Sequence, residues 1–125
     1  MLVEEQKLLL CRNVAAGYLF LPGGHVEWRE HAHVAVAREF REETGCDVQV
    51  GDLLAVVEAM FKSEKWHHEI NLIYRVRQVD RNQTIRSLEP EIAFEWHRVE
   101  SLSSLPLLPP EVARWVLANG PNWAR

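Results

Sequence analysis

Apolar positions along this chain fall into short runs divided by polar or glycine-rich breaks. Leu2-Val3 and Lys7 to Arg12 (KLLLCR) predict two short strands either side of a polar turn at Glu5-Gln6. Asn13 to Gly17 predicts a loop. Tyr18-Leu19-Phe20-Leu21 is a short apolar run that stops at the turn Pro22-Gly23-Gly24. Ala32, Val34, Ala35, Val36 and Ala37 predict a helix whose small apolar side lies closely on a sheet, and Thr44-Gly45 supplies its stop. Asp47 to Phe61 (DVQVGDLLAVVEAMF) predicts one strand, or two joined at Gly51-Asp52. Lys62 to Lys65 predicts a hairpin loop, and Trp66 to Val79 its return strand. After a polar loop from Asp80 to Pro90, Ile92 to Val99 predicts a further strand. Pro109-Pro110 opens a final helix from Glu111 to Ala118, with Val112, Trp115 and Val116 on its apolar face and Asn119-Gly120-Pro121 as its end. Strands with two main helices predict an α/β protein, a mixed sheet covered on both faces.

Composition narrows this further. A chain of 125 residues holds one domain, residues 1–125, with a real core and no room for a second. With 47% hydrophobic and 26% charged residues it is ordinary for a globular protein. A net charge of −4 provides no broad basic surface, so long nucleic acid is not an expected partner. A small phosphorylated substrate stays open, because a metal ion bridges phosphate to carboxylates. Cys11 and Cys46 sit in apolar contexts without metal-ligand spacing and predict reduced core thiols in a cytoplasmic protein. The opening MLVEEQKLLLCR does not read as a signal peptide, and no run reaches membrane-spanning length, so no membrane partner is expected.

The chemistry is concentrated in Gly24 to Cys46, GHVEWREHAHVAVAREFREETGC. Glu39, Glu42 and Glu43 are spaced i, i+3 and i+4, which brings three carboxylates onto one helical face. Three anions on one patch repel each other unless a cation neutralises them, and an all-oxygen cluster selects hard divalent ions, Mg2+ with Mn2+ as substitute. A solvated charged helix face is the plain alternative for Arg38 to Glu43 taken alone. Gly24, Glu30 and Gly45, with Leu21-Pro22-Gly23-Gly24 in front, argue against it through the family resemblance they complete.

The segment resembles the signature of the Nudix (MutT-like) hydrolases, G-x5-E-x7-R-E-U-x-E-E-x-G-U, where U is a bulky apolar residue. Gly24, Glu30, Arg38, Glu39, Glu42, Glu43 and Gly45 fill its fixed positions, with Phe40 and Cys46 at the U positions. The resemblance implies the Nudix fold, an α/β/α sandwich with a mixed β-sheet and a loop-helix-loop catalytic motif. It extends more weakly through VVEAMF, HHEINLIY and FEWHRVESL to the final helix. Only Met1 to Glu4 is available for a first strand that is usually fuller. The sheet is then one short strand smaller, or a second copy covers that edge in a homodimer.

The resemblance also implies metal-dependent hydrolysis of a pyrophosphate bond in a small nucleotide-type substrate: a nucleotide sugar, a dinucleotide or a nucleoside triphosphate. Glu39, Glu42 and Glu43 become metal ligands, joined by the Gly23 carbonyl, and Glu30 with Arg38 braces the loop to the helix. The proton acceptor lies outside the box in many such enzymes. Glu58, a carboxylate inside the apolar run AVVEAMF, is the leading candidate ahead of Glu89, Glu91 and Glu95. Gly24 and His25 follow the turn and are expected beside the substrate. Trp66 and His68 are expected to contact it too, with Trp28 and His67 as further candidates. Trp96 and Trp115 read as core, and Trp123 as a cover for a neighbouring subunit. Arg29 stands where a glycine is usual before the first glutamate, and His31 where a capping Ser or Thr is usual. The competing function is a non-catalytic nucleotide-binding or sensing domain, with a purely structural interaction domain as a third reading.

Overall fold

The computed structural model describes residues 1–123, without the side chains at positions 120, 121 and 123. In chain order the elements are β1 (Val3–Glu4), β2 (Lys7–Asn13), β3 (Leu19–Phe20), α1 (Ala32–Thr44), β4 (Val48–Lys62), β5 (Trp66–Gln78), β6 (Ile92–Arg98), a 3-10 helix (Val99–Ser104) and α2 (Pro110–Trp123). Strand β2 is the centre of the architecture. Leu8, Leu9, Leu10 and Cys11 are all fully buried, so this strand is covered on both faces, and its sequence is a continuous apolar run for that reason. Along one edge it pairs antiparallel with β6, from Lys7↔Arg98 to Asn13↔Ile92. Along the other, β1 and β3 lie end to end, pairing Leu8↔Val3 and Cys11↔Phe20.

Strands β4 and β5 form a separate long antiparallel hairpin. It is tied to the first sheet through a parallel bridge between Leu2 and Val76, where the Val76 N–H donates to the Met1 carbonyl at 2.9 Å. Two apolar clusters then occupy opposite faces. Leu8, Leu10, Leu19 and Ile73 pack with Val112, Ala113 and Val116 of α2. Leu2, Leu9, Val48 and Val76 pack with Phe40 of α1. The result is a helix-sheet-helix sandwich, with α1 lying over β2 and the first half of the hairpin.

One open choice is settled and three expectations shift. Of the one or two strands expected over Asp47 to Phe61 the structure has one, β4 (Val48–Lys62), and register shifts at Val50/Leu53 and Leu53/Ala55 absorb the Gly51-Asp52 break as bulges. Val99 leaves β6 for the 3-10 helix. Helix α2 runs on to Trp123 rather than stopping at Asn119-Gly120-Pro121. Asn119 stays in the helix, its side-chain amide donating to the Trp115 carbonyl at 2.9 Å, and a proline removes only one donor. Trp96 is 37% exposed rather than core, whereas Trp115 does pack against the α2 cluster. The subunit contact read for Trp123 concerns a side chain outside those described.

On the α2 side of the first sheet, Arg12 forks onto Glu95, Nε to Oε2 at 2.5 Å and Nη2 to Oε1 at 2.9 Å, while His97 Nε2 lies 2.8 Å from Glu95 Oε1. The Arg12 hydrogen bond and, after it, the His97 contact hold the Glu95 carboxyl down at about 2, against the opposing effect of burial. A carboxyl with a lowered folded-state pKa stabilises the fold above its unfolded value, and loses that contribution as pH falls toward 2. Glu95→Gln is therefore expected to lower stability at neutral pH and to flatten the acid limb, read by urea unfolding at pH 7, 4 and 2.5.

Candidate active site

Helix α1 begins without the usual side-chain cap. His31 sits at the N-cap position in an extended conformation and makes no capping hydrogen bond, and the first turn carries no acid. The loop before it is held from within the helix by Arg38. Its Nε and Nη2 grip both oxygens of Glu30, at 2.6 and 2.9 Å, and Nη2 also donates to the His25 carbonyl at 2.9 Å. Nη1 reaches Glu39 Oε1 at 2.9 Å and Glu42 Oε2 at 3.2 Å, with a Glu27 oxygen 3.6 Å away. Hydrogen bonds from Arg38 first, and from the Glu27 backbone second, hold the Glu30 carboxyl below the ordinary range. One guanidinium thus joins the loop to the face that carries the acids. Its planar fork suits a task that a lysine ammonium would not perform.

Arg29 sits at φ 63°, the left-handed region that glycine enters freely and other residues resist. The loop keeps a conformation suited to glycine although an arginine occupies it. Arg29→Gly is expected to raise stability by about 1 kcal/mol, the left-handed cost less the added freedom of the unfolded chain, in a urea titration.

Gly24 is required for a different reason. Its φ is not positive, but a Cβ there would collide with the Glu39 carboxyl group, coming within 2.6 Å of Oε1. Gly23 has open space where its Cβ would be. At the far end Gly45, at φ 73°, closes the helix by donating its N–H to the Arg41 carbonyl at 2.8 Å.

The loop between β5 and β6 docks here. The Leu88 N–H donates to the Glu43 carbonyl at 2.7 Å, and Ser87 Oγ bonds both the N–H and the carbonyl of Glu89. Glu43 is half-buried, and its carboxyl is pushed up to about 7 by burial, then by the charges of Glu39, Glu89 and Glu42. The Cys11 thiol is likewise raised, by burial first and then by the Glu43 charge; its neighbour across the sheet, Phe94, packs on Phe40 of α1 with ring centroids 6.2 Å apart.

Glu27, Glu30, Glu39 and Glu42 therefore set four carboxyls around one guanidinium, and Glu43 adjoins this group through the charges of Glu39, Glu89 and Glu42. Among the described residues no three His, Cys, Asp or Glu side chains converge closely enough to chelate an ion as they stand. Glu39 and Glu42 instead turn toward Arg38. The excess negative charge, the oxygen-only donors and the unfavourable ionisation of Glu43 all fit a hard divalent cation.

Other sequence candidates lie apart from this cluster. Glu58 is exposed, contrary to its expected burial, and pairs with His68 Nε2 at 2.7 Å. The reason is that β4 continues beyond the reach of α1, so its outward positions there meet solvent. Trp66 is exposed at the start of β5, and no hydrogen bond or ion pair among the described residues joins Trp66, His68 or Glu58 to the acids. The His25 and Trp28 side chains are exposed on the loop, and His25 contributes its carbonyl to the Arg38 clamp. His67 stacks on Phe61 and bonds Ser63. Sequence reasoning overlooked Glu27 and ranked Glu89 low, since nothing local to those residues signals the approach, whereas Cys11, read as a core thiol, is buried and free.

The NUDIX domain profile matches residues 1–118. The uncharacterized Nudix hydrolase YvcI of Bacillus subtilis is 29% identical over 109 residues, covering 86% of this chain and 68% of that protein. An ADP-ribose pyrophosphatase of Methanocaldococcus jannaschii is 37% identical over 67 residues, 51% of this chain and 40% of the relative's own length. The crystal structure of a MutT Nudix hydrolase from Burkholderia pseudomallei superposes with a TM-score of 0.75 at 28% identity, covering 94% of this chain and 90% of that one. A fold and a box of this kind define the Nudix hydrolases. This chain belongs to that family, in its MutT-like branch. No helix among the described residues is long and apolar enough to cross a membrane.

Proposed function

We propose that this protein is a divalent-metal-dependent pyrophosphohydrolase. Its substrate is a nucleoside diphosphate linked to another group, as in a nucleotide sugar, a dinucleotide or a nucleoside triphosphate. The observation that carries this reading is the excess of acids on this end of the loop and helix: Glu27, Glu30, Glu39 and Glu42 share one guanidinium, and half-buried Glu43 bears the charges of Glu39, Glu89 and Glu42. Glu39, Glu42 and Glu43, with the Gly23 carbonyl, hold Mg2+, and Mn2+ substitutes for it. When bound, the ion withdraws charge from the phosphate oxygens and lowers the pKa of the attacking water.

The chain's own groups do the rest. Arg38 orients Glu39 and Glu42 while its link to Glu30 keeps the Gly23-Gly24 turn beside them. Glu89 takes the water's proton, since its loop is docked on α1 and its charge is felt by Glu43. Gly24 and His25 line the approach of the substrate's phosphates. The ADP-ribose pyrophosphatase relative supports a nucleoside diphosphate as the common element of the substrate. The buried free thiols of Cys11 and Cys46 support a cytoplasmic setting.

The test is turnover of a panel of nucleotide sugars, dinucleotides and nucleoside triphosphates with Mg2+, by phosphate NMR or product chromatography. Release of a nucleoside monophosphate that stops with a chelator is expected. Failure on every member of the panel would overturn the assignment. Glu89→Gln should reduce kcat by about 10²-fold or more, the usual contribution of a general base, with little change in metal affinity.

A further inference from the structure

We infer that the outer face of the β4–β5 hairpin is a two-fold interface for a second copy of this chain. Strand β5 alternates without a bulge, so Val76, Leu72, Ile70, His68 and Trp66 share one face. Val76 is buried in the cluster under α1, and the others run out beyond the helix. Across from them the register sets Val56↔Leu72, Glu58↔Ile70, Met60↔His68 and Lys62↔Trp66. On the reverse face Ala55, Val57 and Ile73 pack into the α2 cluster. On the outer face Val56, Met60, Trp66, Ile70 and Leu72 are between 40 and 72% exposed. An isolated two-stranded sheet is marginally stable, and this one is covered on one side only over its outer half.

The pattern on this face names the occupant. A two-fold axis crossing the hairpin at the Met60–His68 pair exchanges position 58 with 62 and position 66 with 70. With two copies packed face to face about that axis, Glu58 of each copy meets Lys62 of the other, and Trp66 meets Ile70. Acid lies on base and aromatic on aliphatic, each twice, as an isologous interface requires. The five apolar side chains present about 500 Å² together, near the upper end of what a monomer leaves in one patch. Glu58, Lys62 and His68 add to the same face, His68 beside Met60 at the axis and Glu58 and Lys62 on either side of it, and bring it toward the roughly 800 Å² per partner of a stable dimer.

Sedimentation velocity of the full chain over a concentration series tests this. A monomer–dimer equilibrium is expected, with Ile70→Lys, and independently Val56→Lys, raising the dissociation constant at least about tenfold. Lys62→Glu should weaken the dimer by setting acid against acid, and adding Glu58→Lys to the same chain should restore it. A parent protein that stays monomeric throughout overturns the inference. So does a dimer indifferent to Ile70→Lys, or a double charge reversal that fails to restore association.

Discussion

Replacing Glu43 by glutamine is expected to abolish most turnover while making the metal-free protein more stable. The two effects have one origin. Glu43 is half-buried, and its carboxyl is raised to about 7 by burial and by Glu39, Glu89 and Glu42, so its ionised form is unwelcome until a cation arrives. The loss of one ligand should lower kcat by about 10²–10³, several kcal/mol of transition-state stabilisation. The stability effect has a defined sign. Between the unfolded value of 4.5 and the folded value near 7, the native state binds more protons than the unfolded one. The contribution is therefore fully present below 4.5, falls as pH rises, and is gone above 7. Glutamine removes that limb. In chelator at pH 8 the variant should exceed the parent by roughly 1–2 kcal/mol, a figure reduced for partial exposure to solvent. Added Mg2+ should reverse the order, because only the parent gains fully from binding it. A variant no more stable than the parent in chelator at pH 8 would refute the crowding account, whatever happened to its activity.

The box was legible because its information is local. Helical spacing alone places Arg38, Glu39, Glu42 and Glu43 on one side of α1, and the continuous apolar run of β2 announces a strand covered on both faces. The approach of Glu89 was not legible. It depends on a backbone hydrogen bond from Leu88 to the end of α1, and any residue with an N–H can make that bond. Glu58 misled for a related reason: a carboxylate in an apolar run looks the same whether the strand is covered throughout or runs past its helix. The outward face of β4 and β5 is apolar without being core, so hydrophobicity alone could not separate burial within the chain from exposure beyond it. Arg29 signalled its left-handed backbone only through the family resemblance, in which a glycine is usual at that position; the arginine itself gives no sign of it, and the clamp from Arg38 to Glu30 and His25 holds the loop in that shape.

The two glycines of the turn should separate sharply under the same substitution. Gly24→Ala inserts a methyl group into the space of the Glu39 carboxylate, and that carboxylate cannot swing away freely because Arg38 Nη1 holds its Oε1 at 2.9 Å. Either Glu39 moves off its partner or the loop lifts from the helix, and both displace the acid relative to Glu42 and Glu43. A shift of about 1 Å at such a site costs on the order of 10²-fold in rate, so Gly24→Ala should lose that much kcat/KM together with Mg2+ affinity. Gly23→Ala keeps its carbonyl, meets nothing within 4 Å and needs no left-handed backbone, so its loss should be far smaller. Isothermal titration with Mg2+ beside steady-state kinetics distinguishes the pair. Comparable losses in both variants would mean that the turn is needed for its flexibility, and that the close approach of Gly24 to Glu39 has no catalytic weight. A large loss confined to Gly24 would tie the glycine of the box to the placement of one carboxylate, through contact rather than through backbone conformation.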